Sequence, residues 1–330
     1  MHGTIAVTDY GWYEFLLRRE LQEVNFWTPS ARRAFYAPEF SPFLVKPKAP
    51  HNAICGFGYF TRWSSLPDWL AWECFEEGNG CGSLAEMRER IGAIRRRIHY
   101  GQEGPPTDIG CILLIQPTFF ERDAWILQPR DWHPRTVTNK GYDLSTGEGR
   151  RIWQACLERA AWQSAVSSTT QSVHESISRY GALRPVAPRL GQGTFRIAVT
   201  EAYRRACAVT DEHALPALEA AHIRSFAQEG PHEIRNGLLT RADLHRLFDQ
   251  GYLTVTPDRR LEVSRRLRED YHNDRSYYPL YGQVLRLPAS VKERPALEFI
   301  QWHNEHVFLD WSFLQGSTAH EQYRKRNLII

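Results

Sequence analysis

Leu218-Glu219-Ala220-Ala221-His222-Ile223, then Asn236-Gly237-Leu238-Leu239, then Thr240-Arg241-Ala242-Asp243-Leu244-His245-Arg246-Leu247-Phe248-Asp249 decide the fold of this 330-residue chain. The first two phrases are short apolar runs separated by a polar loop, and they predict extended segments. The third carries Leu244, Leu247 and Phe248 at helical spacing and predicts a helix. Thr240 stands where it can cap that helix, with Asp243 three residues on, and Gly251 stands where it can end it. The unit reads as ββα, with His222, Asn236 and His245 set 14 and 9 residues apart. His245 and Asp249 are four apart, so both project from one helix face, a spacing that suits a shared metal ion. His222 lies on a segment that would hold its ring rigidly. Imidazole titrates near neutral pH, which makes His222 the candidate general base. Asn236 opens the second segment, where its amide can bind backbone across the hairpin and hold the loop carrying His222.

These spacings, with the phrases LEAAHI and NGLLTRADLHRLFD, resemble the His-Asn-His (HNH) nucleases, whose ββα-metal hairpin cuts nucleic-acid phosphodiesters. The resemblance implies His222 as the base that activates water and Asn236 as its support. It implies His245 as ligand of one divalent ion, Mg²⁺, Mn²⁺ or Ni²⁺. Many members carry His or Asp immediately before the catalytic histidine. This chain has Ala221, which leaves the next metal ligand open between Asp249 and Glu219. Several members also brace the unit with zinc on CxxC pairs. Cys207-Ala208-Val209-Thr210 offers one thiol, so Cys207 reads as a small buried hydrophobe and no structural zinc is expected. Arg224 and Arg241, within the same stretch, are candidate DNA phosphate contacts.

The whole chain of 330 residues is long enough for two domains, each with its own core. Its 42% hydrophobic and 24% charged residues are those of a soluble globular protein. No run approaches 18 apolar residues, so no membrane span is expected. Met1-His2-Gly3-Thr4 lacks a basic region followed by an apolar one, so no secretory signal is expected either. Six scattered cysteines without a CxxC pair point to free thiols and a cytoplasmic setting. A net charge of +3 allows nucleic-acid binding through a local basic patch without demanding it.

Short strands and helices alternate in the first half, which predicts an α+β unit with a curved sheet or small barrel. Strands are expected at residues 4–8, 43–46, 53–60 and 110–115, and helices at 12–23, 67–75, 83–99 and 149–161. The half is dense in aromatics, most of them core. Asp9, Tyr10, Trp12, Asn25, Phe26 and Trp27 combine polar groups with ring faces, as a pocket for a base extruded from a duplex would need. Lys46, Lys48 and His51 flank a proline-rich turn and are candidate phosphate contacts. The pattern IAVTDYGWYEFL, EVNFWTPS, PFLVKPKAPHNAICGFGYF, GCILLIQPTFF and GYDLSTGEGRRIW, spread over residues 4–160, resembles the SRA/PUA-like reader domains fused to HNH nucleases of the Mcr type. These are modification-dependent restriction enzymes. The resemblance implies a domain that flips a modified cytosine into a cage.

The expected domains are a reader at 1–165, a Ser- and Pro-rich linker at 166–193 and the nuclease at 194–330. Within the last, a hairpin is expected at 253–264 and a closing helix at 295–308, whose His303-Asn304-Glu305-His306 fits packing better than metal binding. Arg259, Arg260, Arg265, Arg266 and Arg268 form either a solvated face or a phosphate-binding surface. The expected function is cleavage of double-stranded DNA that carries a modified cytosine, by a homodimer if both strands are cut. The rival expectation is a nuclease effector of a defence system whose first half binds a protein or signalling ligand.

Overall fold

The computed structural model describes residues 1–97, 108–170, 190–272 and 275–309. Most of the expected linker, residues 171–189, lies outside them. The chain divides into two compact units, Met1–Thr194 and Phe195–Ile330.

The first unit is a mixed α+β arrangement built on one large sheet. Its elements are β1 (His2–Thr8), α1 (Tyr10–Leu17), β2 (Glu23–Thr28), β3 (Pro42–Pro47), β4 (Ala53–Ile54), β5 (Gly56–Pro67), α2 (Asp68–Phe75), α3 (Leu84–Arg97), β6 (Asp108–Phe119), β7 (Ile126–Leu127), β8 (Asn139–Asp143) and α4 (Gly147–Thr170). Six strands run in the order β2-β6-β5-β3-β1-β8, and β4 pairs separately with β7. Within the six, β1 and β3 are parallel and every other pairing is antiparallel.

Alternation along the strands sorts side chains to the two faces. Ile5, Leu44 and Phe57 pack on one face with Ile152, Trp153, Cys156 and Ala160 of α4. Ala6, Phe43, Val45, Ile112 and Leu114 pack on the other with Trp12, Tyr13 and Leu16 of α1. Gly56 admits the neighbouring strand, because a Cβ there would lie 2.5 Å from the Thr118 carbonyl. The β5–β6 register shifts twice beside it, between Phe57 and Tyr59 and between Phe60 and Arg62.

One helix expectation needs correction. The first helix stops at Leu17 rather than Glu23, since Arg18-Arg19-Glu20 offers no apolar stripe to extend it. Glu23 instead opens β2, and its carboxylate accepts hydrogen bonds from Gly193 N (2.6 Å) and Thr194 N (2.9 Å). At α3, Ser83 Oγ accepts from Glu86 N, and the Glu86 carboxylate accepts from Gly82 N.

Helix α5 (Gln192–Ala202), which belongs to the second unit from Phe195 on, leads to β9 (Leu218–His222), β10 (Gly237–Arg241) and α6 (Ala242–Asp249). A hairpin of β11 (Leu253–Val255) and β12 (Leu261–Val263) follows, then α7 (Arg266–Tyr271) and α8 (Leu297–His306). β9 and β10 are antiparallel with Gly237 opposite His222 and Thr240 opposite Glu219. Phe195, Val199, Ala221, Leu238, Leu239, Leu244, Phe248, Val255 and Ile300 share one core. Gly251, at φ +78°, lets the chain leave α6 in the left-handed region.

Candidate active site

The β9–β10 ladder and α6 bring His222, Asn236 and His245 into one neighbourhood. Asn236 is fully buried. Its Oδ1 accepts from Arg224 N at 2.9 Å, and its Nδ2 donates to the Arg224 and Pro231 carbonyls at 3.0 and 2.9 Å. One amide thus clasps both ends of the loop that leaves His222. Gly230 completes the clasp, since a Cβ there would drive into the Arg224 carbonyl.

His222 is half-buried, and its ring lies flat on Phe195, with centroids 3.9 Å apart and planes 12° apart. His232 tilts against it at 5.1 Å. Nε2 of His222 is buried and has no hydrogen-bond partner among the described residues. Burial first, then the charges of His232 and His245, bring its pKa down to about 4, against an opposing pull from Asp249.

His245 sits between two carboxylates. Nδ1 is 2.7 Å from Glu219 Oε2 and Nε2 is 3.2 Å from Asp249 Oδ2. Burial depresses its pKa, but the hydrogen bonds and charges of Asp249 and then Glu219 outweigh burial, and the net direction is upward. Ala221 is fully buried in the core, so a ligand at that position would face apolar packing, whereas Glu219 reaches His245. The carboxylates occupy opposite ring nitrogens, and no three His, Cys, Asp or Glu side chains among the described residues converge as a metal cluster. The donor set therefore suits a divalent ion as a pair, with one imidazole nitrogen and one carboxylate. The other carboxylate would then hold the opposite N–H.

Several expected roles are corrected. Thr240 does not cap α6: β10 claims it opposite Glu219, its Oγ1 has no partner among the described residues, and Arg241 takes the cap position. Asp243 instead forms a two-point ion pair with Arg241 at 3.0 and 2.6 Å, which occupies that guanidinium. Arg224 donates from Nε to the Gln228 carbonyl and lies over the Trp302 ring. Cys207 is fully buried, as a small hydrophobe would be, and its sulfur accepts from Val209 N and Thr210 N. His303 is 2% exposed and stacks on Phe248 at 3.8 Å, with Nε2 3.1 Å from the Phe248 carbonyl; it packs under α6. In the arginine cluster, Arg260 pairs with Asp258, Arg266 with Asp270, and Arg268 lies over Tyr278.

In the first unit the six expected pocket residues divide between the core and the surface. Trp12 and Phe26 are core residues, 4% and 8% exposed and packed edge to face. Asn25 is fully buried and donates to Asn79 Oδ1 at 2.9 Å, while Trp27 Nε1 donates to the Asn79 carbonyl at 2.9 Å. Asp9 pairs with Lys48 at the surface. Tyr10 stacks on His51 at 4.7 Å, and Trp125 meets both rings edge-on. Lys46 is 3% exposed on an interior strand with its ammonium over Trp132, so it cannot serve as a surface phosphate contact. Burial lowers its pKa.

A ββα hairpin that presents a half-buried histidine beside an imidazole–carboxylate pair has the make-up of a metal-assisted phosphodiester hydrolase. Residues 207–256 match the family model described as HNH endonuclease. The second unit thus carries an HNH endonuclease domain, and the chain is a DNA-hydrolysing enzyme. Two solved structures are similar in outline. The ASCH protein from Zymomonas mobilis is 12% identical, with a TM-score of 0.31 over 46% of this chain and 94% of that one. The modification dependent TagI restriction endonuclease is 12% identical, with a TM-score of 0.28 over 91% of this chain and 79% of that one. Comparison with curated proteins returned no match.

Proposed function

We propose that the chain is a modification-dependent restriction endonuclease whose first unit reads a modified cytosine and whose second unit cuts the backbone. The observation that carries the cleavage half is the juxtaposition of His222, held on Phe195, with His245 between Glu219 and Asp249, inside the stretch that matches the HNH model.

At neutral pH the His222 ring is uncharged and can accept a proton. It takes that proton from water as the water oxygen bonds to phosphorus and the P–O3′ bond breaks, leaving 5′-phosphate and 3′-hydroxyl ends. A phosphodiester lodged beside the ring would raise its pKa from about 4 toward neutrality, so substrate binding strengthens the base. Asn236 keeps the loop after His222 fixed while this happens. A divalent ion on His245 with Asp249 or Glu219 would supply positive charge to the phosphate and the leaving oxygen. One such domain cuts one strand, so cleavage of both strands calls for two copies.

The reader half is supported by the sequence pattern of residues 4–160 and by the aromatic corner of Tyr10, His51 and Trp125 beside Asp9 and Lys48. Its test is digestion of matched duplexes containing cytosine, 5-methylcytosine or 5-hydroxymethylcytosine by the full chain with Mg²⁺, Mn²⁺ or Ni²⁺. Cleavage restricted to a modified duplex is expected. Equal cleavage of all three would refute the reader role while leaving the nuclease intact.

A further inference from the structure

We propose that Phe195, on α5 and upstream of the matched stretch 207–256, is a positioning residue that holds the His222 imidazole flat for catalysis. The proposal rests on His222 acting as the base.

A histidine ring turns broadly about its last side-chain bond, and a catalytic imidazole usually has that turn fixed by a hydrogen bond at the nitrogen not used in the reaction. Here Nε2 of His222 is buried without a partner among the described residues. What meets the ring instead is a face: Phe195, 1% exposed, lies at 3.9 Å and within 12° of parallel. His232 closes the arrangement at 5.1 Å from His222 and 5.8 Å from Phe195. Rotation of His222 out of this plane would drive its edge into the Phe195 ring.

The backbone is cut to allow the contact. Gly237 is the register partner of His222, and a Cβ at that position would lie 2.4 Å from Val199 Cγ2 and 3.1 Å from Phe195 Cζ. Glycine there lets α5 settle over the hairpin at the residue pair that carries the base. The same burial, joined by the charges of His232 and His245 and opposed by Asp249, keeps the ring neutral. Phe195 lies 27 residues before His222, so the contact crosses from one element to another and leaves no local periodicity.

The test compares Phe195→Leu, which keeps apolar bulk but removes the planar face, with Val199→Ala, which loosens the same helix one turn further on. Both are assayed as full chains well below their melting temperatures. Phe195→Leu is expected to lower kcat about ten- to a hundredfold, the scale of a misplaced catalytic group, with DNA affinity within twofold. Val199→Ala is expected to lose stability and keep kcat within twofold. A Phe195→Leu kcat within twofold of the parent, or an equal loss in Val199→Ala, would overturn the proposal. Should Phe195→Leu not fold, the ring protons of His222 in the unaltered protein decide. Stacking shifts them upfield of those of the exposed His133 and His213, and ordinary shifts would overturn the contact. His222→Ala separates the two claims, because an active His222→Ala removes the base assignment itself, whereas an inactive His222→Ala beside a fully active Phe195→Leu removes only the role of Phe195.

Discussion

Replacing Asn236 with alanine probes the clasp that holds the active-site loop. The side chain makes three hydrogen bonds to backbone, to Arg224 N, Arg224 O and Pro231 O, at 2.9, 3.0 and 2.9 Å, and is fully buried. At about 1 kcal/mol net for each bond, the loss is about 3 kcal/mol, and more if the three backbone groups stay buried and unpaired. Asn236→Asp should cost at least as much at neutral pH, because a carboxylate cannot donate and would face two carbonyl oxygens. Urea unfolding of the full chain measures the loss, and hydrogen exchange of the Arg224 amide reports the clasp directly, since that amide donates to Asn236. The expectation is a lower midpoint with an unprotected Arg224 amide. A loss below about 1 kcal/mol with that amide still protected would show that the loop is held by something else.

Other consequences are equally direct. His303 is buried with its pKa brought down to about 4 by burial, partly offset by its bond to the Phe248 carbonyl and by Asp249. Its folded pKa lies below the unfolded value, so its contribution is complete above about pH 6.5 and is lost as pH falls toward 4, worth about 3 kcal/mol. His303→Gln should flatten the acid side of the stability-versus-pH curve, and an unchanged slope would refute the assignment. Gly237→Ala should destabilise by about 1–3 kcal/mol through its collision with Val199 and Phe195; an unchanged melting temperature would show that α5 does not sit over the hairpin as described. Lys46→Met should leave the salt dependence of DNA binding unaltered, because the buried ammonium meets no phosphate; a shallower slope would place it at the DNA surface.

The ββα unit was legible because its signals are local: two apolar runs, one helical stripe and a glycine at the helix end. The side-chain roles that depend on register were less so. Thr240 looks like a cap until the ladder is seen to run on to Arg241, which leaves its hydroxyl inside the hairpin. The aromatics of residues 9–27 announced packing, but density alone cannot say which ring faces inward, and Trp12 and Phe26 went to the core. Lys46 has a loop-like neighbourhood in the sequence, yet β3 is flanked by β1 and β5, and its ammonium ends up inside. Glu219 could be named only through the resemblance and its gap at Ala221, and the fold places it across from Asp249 on the same ring. Phe195 was not legible as a site residue, because nothing local links it to a histidine on another element.

The measurement closest to the central claim is cleavage of a modified duplex by the full chain and by His222→Ala and His245→Ala, with a divalent ion and again with the ion chelated. The account predicts 5′-phosphate ends from the parent only when the ion is present, and a loss of at least a hundredfold in each variant, the scale of a removed general base, with duplex binding retained by His222→Ala. Undiminished cutting by His222→Ala, or cutting that survives chelation, would contradict it.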